Sequence, residues 1–70
     1  MNELFQIEET KSPRLKWLDQ HGVWTAEITL RGKFQWWEAT AAGIIGKGET
    51  EDAAIVELAK NMEIKLWNEL

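Results

Sequence analysis

The stretch VWTAEITLRGKFQWWEAT, residues 23–40, leaves the chain little choice of fold. Its first half alternates. Trp24, Ala26, Ile28 and Leu30 fall on one side of an extended chain, and Thr25, Glu27 and Thr29 fall on the other. Period two marks a half-buried strand. Arg31, Gly32 and Lys33 then separate it from a second, aromatic-rich run, so the two read as an antiparallel hairpin. Loop length sets which residues meet. A two-residue turn at Arg31 and Gly32 pairs Leu30 with Lys33 and Ile28 with Gln35. A three-residue loop over 31–33 pairs Leu30 with Phe34 and Ile28 with Trp36. The second sets apolar against apolar and is the expected register. Trp37 then lies on the polar side, beside Thr25, Glu27, Thr29 and Gln35.

Two helices flank the hairpin. Ser12 is a suitable N-cap, and Pro13 at the first helical position has a preset φ and no donor to waste. Leu15 and Leu18 share a stripe, with Trp17 adjacent. Gly22 suits the left-handed C′ position, with Val23 making the following apolar contact. These signals predict a helix over about 13–21. His21 in its last turn suits the helix dipole when protonated, and reads as a surface residue of the capping region. TAAGII predicts a short third strand near 41–46. Thr50 can cap a second helix, with Glu51 and Asp52 in its first turn. Ile55, Leu58, Ala59, Met62 and Leu66 recur at helical spacing and predict that it runs from 51 through 62 and on to 67.

The fold class that follows is α+β: a short N-terminal helix, a three-stranded antiparallel sheet, and a C-terminal helix packed on one sheet face. Residues 1–11 read as an N-terminal arm that packs through Leu4, Phe5 or Ile7, and residues 12–70 as a single α-β-β-β-α domain. A chain of 70 residues buries only about 60% of its unfolded surface, so a good core or oligomerisation must support it. With no cysteine there is no disulfide and no thiolate zinc site. Five tryptophans and two phenylalanines supply the core instead. Trp17, Trp24, Trp36 and Trp67 are expected inside it.

Catalytic and cofactor chemistry find little footing. In GIIGKGETEDAA, Gly46 and Lys47 are followed by Gly48 where a phosphate-binding P-loop needs Ser or Thr, and the dinucleotide fingerprint lacks its third glycine. Glu49, Glu51 and Asp52 already occupy the helix start, where they would repel a phosphate. These glycines read as a strand-to-helix turn. One histidine and no cysteine leave no nucleophile–base pair and no metal cluster. No enzyme, cofactor or metal is expected. No run of about 18 apolar residues exists, and MNELFQIEE lacks the regions of a signal peptide, so a cytoplasmic protein is expected.

The passage GKGETEDAAIVELAKNM, with small residues at Ala53, Ala54 and Ala59, is similar to the entry into the final helix of the double-stranded RNA-binding domain. With the element order, the resemblance covers about residues 13–66. It implies an RNA grip at the first helix, at the loop between the first two strands, and at lysines opening the last helix. Arg14 and Lys16 meet the first, and Arg31 and Lys33 the second. At the third, acids replace the basic cluster and only Lys47 is near, which should abolish that duplex mode. GETEDAA also resembles the helix start of an antitoxin family of three strands and a helix, which implies a small partner-binding module.

Net charge is −4, and residues 49–70 carry the whole excess. The expected function is therefore a non-enzymatic interaction module, a homodimer or a subunit that binds another protein. Its candidate surface is Trp37 with Gln35, Glu27 and Thr25, since tryptophan is a favoured interface anchor. The alternative is a nucleic-acid-binding domain that uses Lys11, Arg14, Lys16, Arg31, Lys33 and Lys47, with Trp37 stacking on an unpaired base.

Overall fold

A computed structural model describes residues 12–69. The expected N-terminal arm, with Lys11, and residue 70 lie outside the described residues. In chain order the elements are α1 (Pro13–His21), β1 (Trp24–Leu30), β2 (Lys33–Ala41), β3 (Ile44–Gly48), α2 (Glu51–Met62) and a 3-10 turn at Trp67–Glu69. The fold is α+β, with an antiparallel sheet of order β1-β2-β3 and α2 packed on one of its faces.

Both helices start where their caps direct. The Leu15 amide donates to Ser12 Oγ at 3.1 Å, and the Ala53 amide donates to Thr50 Oγ1 at 3.0 Å. Helix α1 ends at Gly22, φ 66°, with the Val23 amide donating to the Leu18 carbonyl at 2.9 Å. Helix α2 ends at Met62, the nearer of the expected ends at 62 and 67. Glu63 takes the left-handed conformation, φ 61°, and the Ile64 amide returns to the Ala59 carbonyl at 3.0 Å. The turn sends residues 64–67 back towards α1 and puts Leu66 in the core without extending the helix.

The expected hairpin register is corrected in part. Arg31 (φ 56°) and Gly32 (φ 77°) form a two-residue turn, the left-handed pair that matches strand twist. Leu30 therefore faces Lys33, and Thr29 faces Phe34. The register then shifts: Gln35 is the extra residue of a β-bulge, and Ile28 meets Trp36 while Glu27 meets Trp37. The third strand also begins later than expected. Ala41 still belongs to β2, and Ala42 (φ 52°) and Gly43 (φ 78°) make a second tight turn.

The core is built where side chains are smallest. Ala39 and Ala41 of β2 are buried; on β3 Gly46 stands beside Ala39, and Gly48, on the same face, stands beside Trp37. A Cβ on Gly46 would lie 2.5 Å from the Ala54 carbonyl oxygen and 2.7 Å from Leu58 Cα, and would also strike the Leu58 amide. One on Gly48 would lie 2.6 Å from Ala53 Cβ. The α2 backbone thus lies directly on β3, with Ile55 and Leu58 fully buried. The two glycines are strand residues that admit a helix, and the expected strand-to-helix turn is limited to Glu49 and Thr50. At one end Trp17 of α1 is 2% exposed. Its indole N–H donates to the Lys65 carbonyl at 2.8 Å, and its ring meets Trp67 edge-on at 5.6 Å.

Candidate interaction face

Side chains alternate across a strand, so the register assigns every residue to a face. Thr25, Ala39 and Gly46 form one row, and Glu27, Trp37 and Gly48 the next; these lie on the side that α2 covers. The other side carries Trp24, Thr40 and Ile45 in one row, Ala26, Glu38 and Lys47 in the next, and then Ile28 with Trp36. The expectation that the apolar alternation of β1 faces inward is therefore reversed. Trp24 is 60% exposed, Leu30 62% and Ile45 47%. The physical reason is bulk. A helix axis can approach the Ala39–Gly46 column closely, whereas indoles at 24 and 36 would hold it off.

The open face has its own internal order. Trp36 is half-buried, and its indole N–H donates to Glu38 Oε2 at 3.0 Å. Lys47 Nζ stands 4.8 Å from the centre of the Trp36 ring, a cation–π arrangement. Lys33 and Lys47 lie on this face, and Arg31 stands at the adjoining turn, all exposed. Glu38 is the one carboxylate in these rows. In an acidic chain, this side of the sheet is locally basic and rich in indole.

The residues expected at the site are divided by the fold. Trp37 is half-buried and packs against the core. The Thr25 hydroxyl donates to Glu51 Oε2 at 2.6 Å, which ties β1 to the first turn of α2. Glu27 and Gln35 are exposed but lie away from the Trp24 and Ile45 row. Among the basic residues, Arg14 is engaged within the chain, donating to Asp52 Oδ1 at 2.9 Å and to Glu51 Oε1 at 3.2 Å. The hydrogen bond to Asp52 is the largest cause raising the Arg14 pKa above its ordinary value. Lys16 is exposed on α1. Arg31 and Lys33 sit at the far end of β1 from Thr25, so the basic residues do not gather into one patch. The start of α2 borders an open recess lined by Arg14, Thr50, Glu51 and Asp52, which supplies its own counter-charges. The His21 ring lies 4.8 Å from the Trp17 ring, tilted by 53°.

The two sheet edges also differ. On the β3 edge, Asn61 of α2 donates its side-chain N–H to the Ile45 carbonyl at 3.0 Å. Strand β1 is the other edge, seven residues long, with β2 as its only neighbour among the described strands. Trp24, Trp36, Ile45 and Lys47 were not singled out together by the sequence pattern. The signal that could have found them is the column of Ala39, Ala41, Gly46 and Gly48, which tells which side takes the helix.

Among the described residues no helix is long and apolar enough to cross a membrane. Compared with family models, with curated proteins and with solved structures, the chain matches none.

Proposed function

We propose that this protein is a small non-enzymatic interaction module that binds a protein partner, or a second copy of itself, through the open face of its sheet. The observation that carries this reading is the exposure of Trp24, Leu30 and Ile45 together on a face that no described element covers. Contiguous apolar surface on a small domain marks an interaction site, and tryptophan is prominent among the residues that dominate binding energy. The test compares the wild-type chain with Trp24→Ser plus Ile45→Glu. Both positions are exposed, so the variant should keep the wild-type melting temperature. Light scattering should report a loss of self-association, or immobilised protein should lose a partner that the wild type retains. Equal mass and equal retention by the two chains would count against the open face.

A second reading, single-stranded nucleic-acid binding, draws on one observation: Lys47 set against the Trp36 ring, with Lys33 on the same face. Aromatic platforms bordered by cations stack on unpaired bases. This reading predicts oligonucleotide binding that weakens steeply with salt and is lost in Lys47→Glu. A duplex RNA grip of the kind the sequence resembles gets less support, because Arg14 is already paired with Glu51 and Asp52.

A further inference from the structure

We infer that β1 is a self-pairing edge: two copies of the chain join β1 to β1, antiparallel, about a two-fold axis through Ala26, and make one six-stranded sheet. The contact is the strand's edge rather than the open face, and it stands whether or not that face binds anything.

An edge strand turns every second N–H and C=O outward, a template on which another strand can pair. Strand β1 offers seven such residues, with β2 as its only neighbour among the described strands. The usual protections of an edge are missing from it. WTAEITL holds no proline and a single charge, Glu27. The bulged residue, Gln35, belongs to β2. The β3 edge is defended by contrast. It is only five residues long, and its Ile45 carbonyl already accepts from the Asn61 side chain at 3.0 Å.

The register names the occupant. Trp24 to Ile28 pair regularly with β2, and the ladder shifts only after Ile28. A bulge adds twist, so the regular part of the edge is 24–28, and its midpoint is Ala26. A two-fold axis normal to the sheet keeps like faces together. Centred on Ala26, it sets Trp24 opposite Ile28 of the second copy, a favourable aromatic–β-branched pair. It sets Thr25 opposite Glu27, and Ala26 opposite itself. The neighbouring registers are worse. Centred on Glu27, the axis would bring two carboxylates face to face. Centred on Ile28, it would draw Arg31 and Gly32, both in left-handed conformation, into the ladder. The strand that complements this edge is therefore β1 itself, and its symmetry closes the assembly at two chains.

The test exploits the self-opposed position. Residues directly opposite each other have Cβ atoms about 5 Å apart, so like charges at 26 repel across the axis. By light scattering, the wild-type chain should have twice the monomer mass at high concentration and dissociate on dilution. Ala26→Glu and Ala26→Lys should each be monomeric, and an equimolar mixture of the two should recover the doubled mass. Recovery requires both variants to be folded. Hydrogen exchange on the wild type needs no variant: the outward amides of β1 should gain protection as concentration rises. Four results would overturn the inference. The wild type could be a monomer at every concentration, or both charged variants could remain dimeric. The β1 amides could be protected independently of concentration, which would give the edge to the chain's own residues. Ile45→Glu alone, on the opposite strand of the sheet, could abolish the dimer, which would move the contact to the open face.

Discussion

Replacing Gly46 with alanine should destabilise this domain by about 3 kcal/mol. The added Cβ meets the Ala54 carbonyl oxygen at 2.5 Å, Leu58 Cα at 2.7 Å and the Leu58 amide. Carbon contacts are comfortable at about 3.5–4.0 Å, so α2 must retreat by roughly 1 Å along this line. All three obstacles are backbone atoms, which cannot rotate aside, and the retreat loosens Ile55 and Leu58 together. Overpacking typically costs about 1–3 kcal/mol, and a backbone clash belongs at the upper end. A chain of 70 residues has a net stability of roughly 4–10 kcal/mol. Urea unfolding followed by tryptophan emission measures the loss. With an m-value near 1 kcal/mol per molar, the midpoint should fall by about 3 M. Gly43→Ala is the control. Its φ is 78° and nothing lies within 4 Å of the new methyl, so only backbone strain of about 1–2 kcal/mol is added. If Gly46→Ala lost no more than Gly43→Ala, α2 would not lie on β3 as described.

Trp17→Ala should remove about 3–5 kcal/mol, while Trp24→Ser should change stability by less than about 1 kcal/mol; equal melting temperatures for the two would contradict the assignment of faces. Glu63→Gly should raise stability by about 1 kcal/mol, since a glycine enters the left-handed region without strain, and melting should rise by roughly 4–8 °C. Glu51→Gln should weaken both the Arg14 pair and the Thr25 hydrogen bond, lowering stability by about 1 kcal/mol at low salt and less at high salt. The Arg14 pKa is raised, chiefly by its bond to Asp52. The guanidinium's contribution is thus fully present below its ordinary pKa and lost only as pH rises through the higher folded value. Urea titrations from neutral to mildly alkaline pH should therefore show no loss traceable to Arg14, which comparison with Arg14→Ala would reveal.

Local chemistry was legible wherever one residue decides the backbone. Ser12, Pro13, Gly22 and Thr50 each lie at the helix boundary that their chemistry dictates. Glu63 was not legible, because a glutamate gives no sign that it will end a helix in the left-handed region. The hairpin misled in an instructive way. Matching Ile28 to Trp36 was right, but the chain reaches that pairing through a tight turn and a bulge at Gln35, and no polarity pattern distinguishes the two routes. The choice of faces failed for a different reason. Alternating polarity says that two faces differ, but the volume of the side chains decides which one a helix can approach. Trp37 is half-buried on the helix side, opposite Gly48 on β3.

The contact between Trp17 and Lys65 joins residues 48 apart in sequence. It orders the events of folding. The β1–β2 hairpin closes through two residues, and β3 follows through two more, so the sheet can assemble from local encounters. Helix α1 cannot finish with it. The buried indole of Trp17 has its hydrogen-bond acceptor and its ring partner, Trp67, only after α2 has formed and the chain has turned back at Glu63. The first of the described elements is thus the last to reach its native contacts. In refolding, the Trp17 environment should mature after the sheet signal, and Trp17→Phe should accelerate unfolding more than it slows folding.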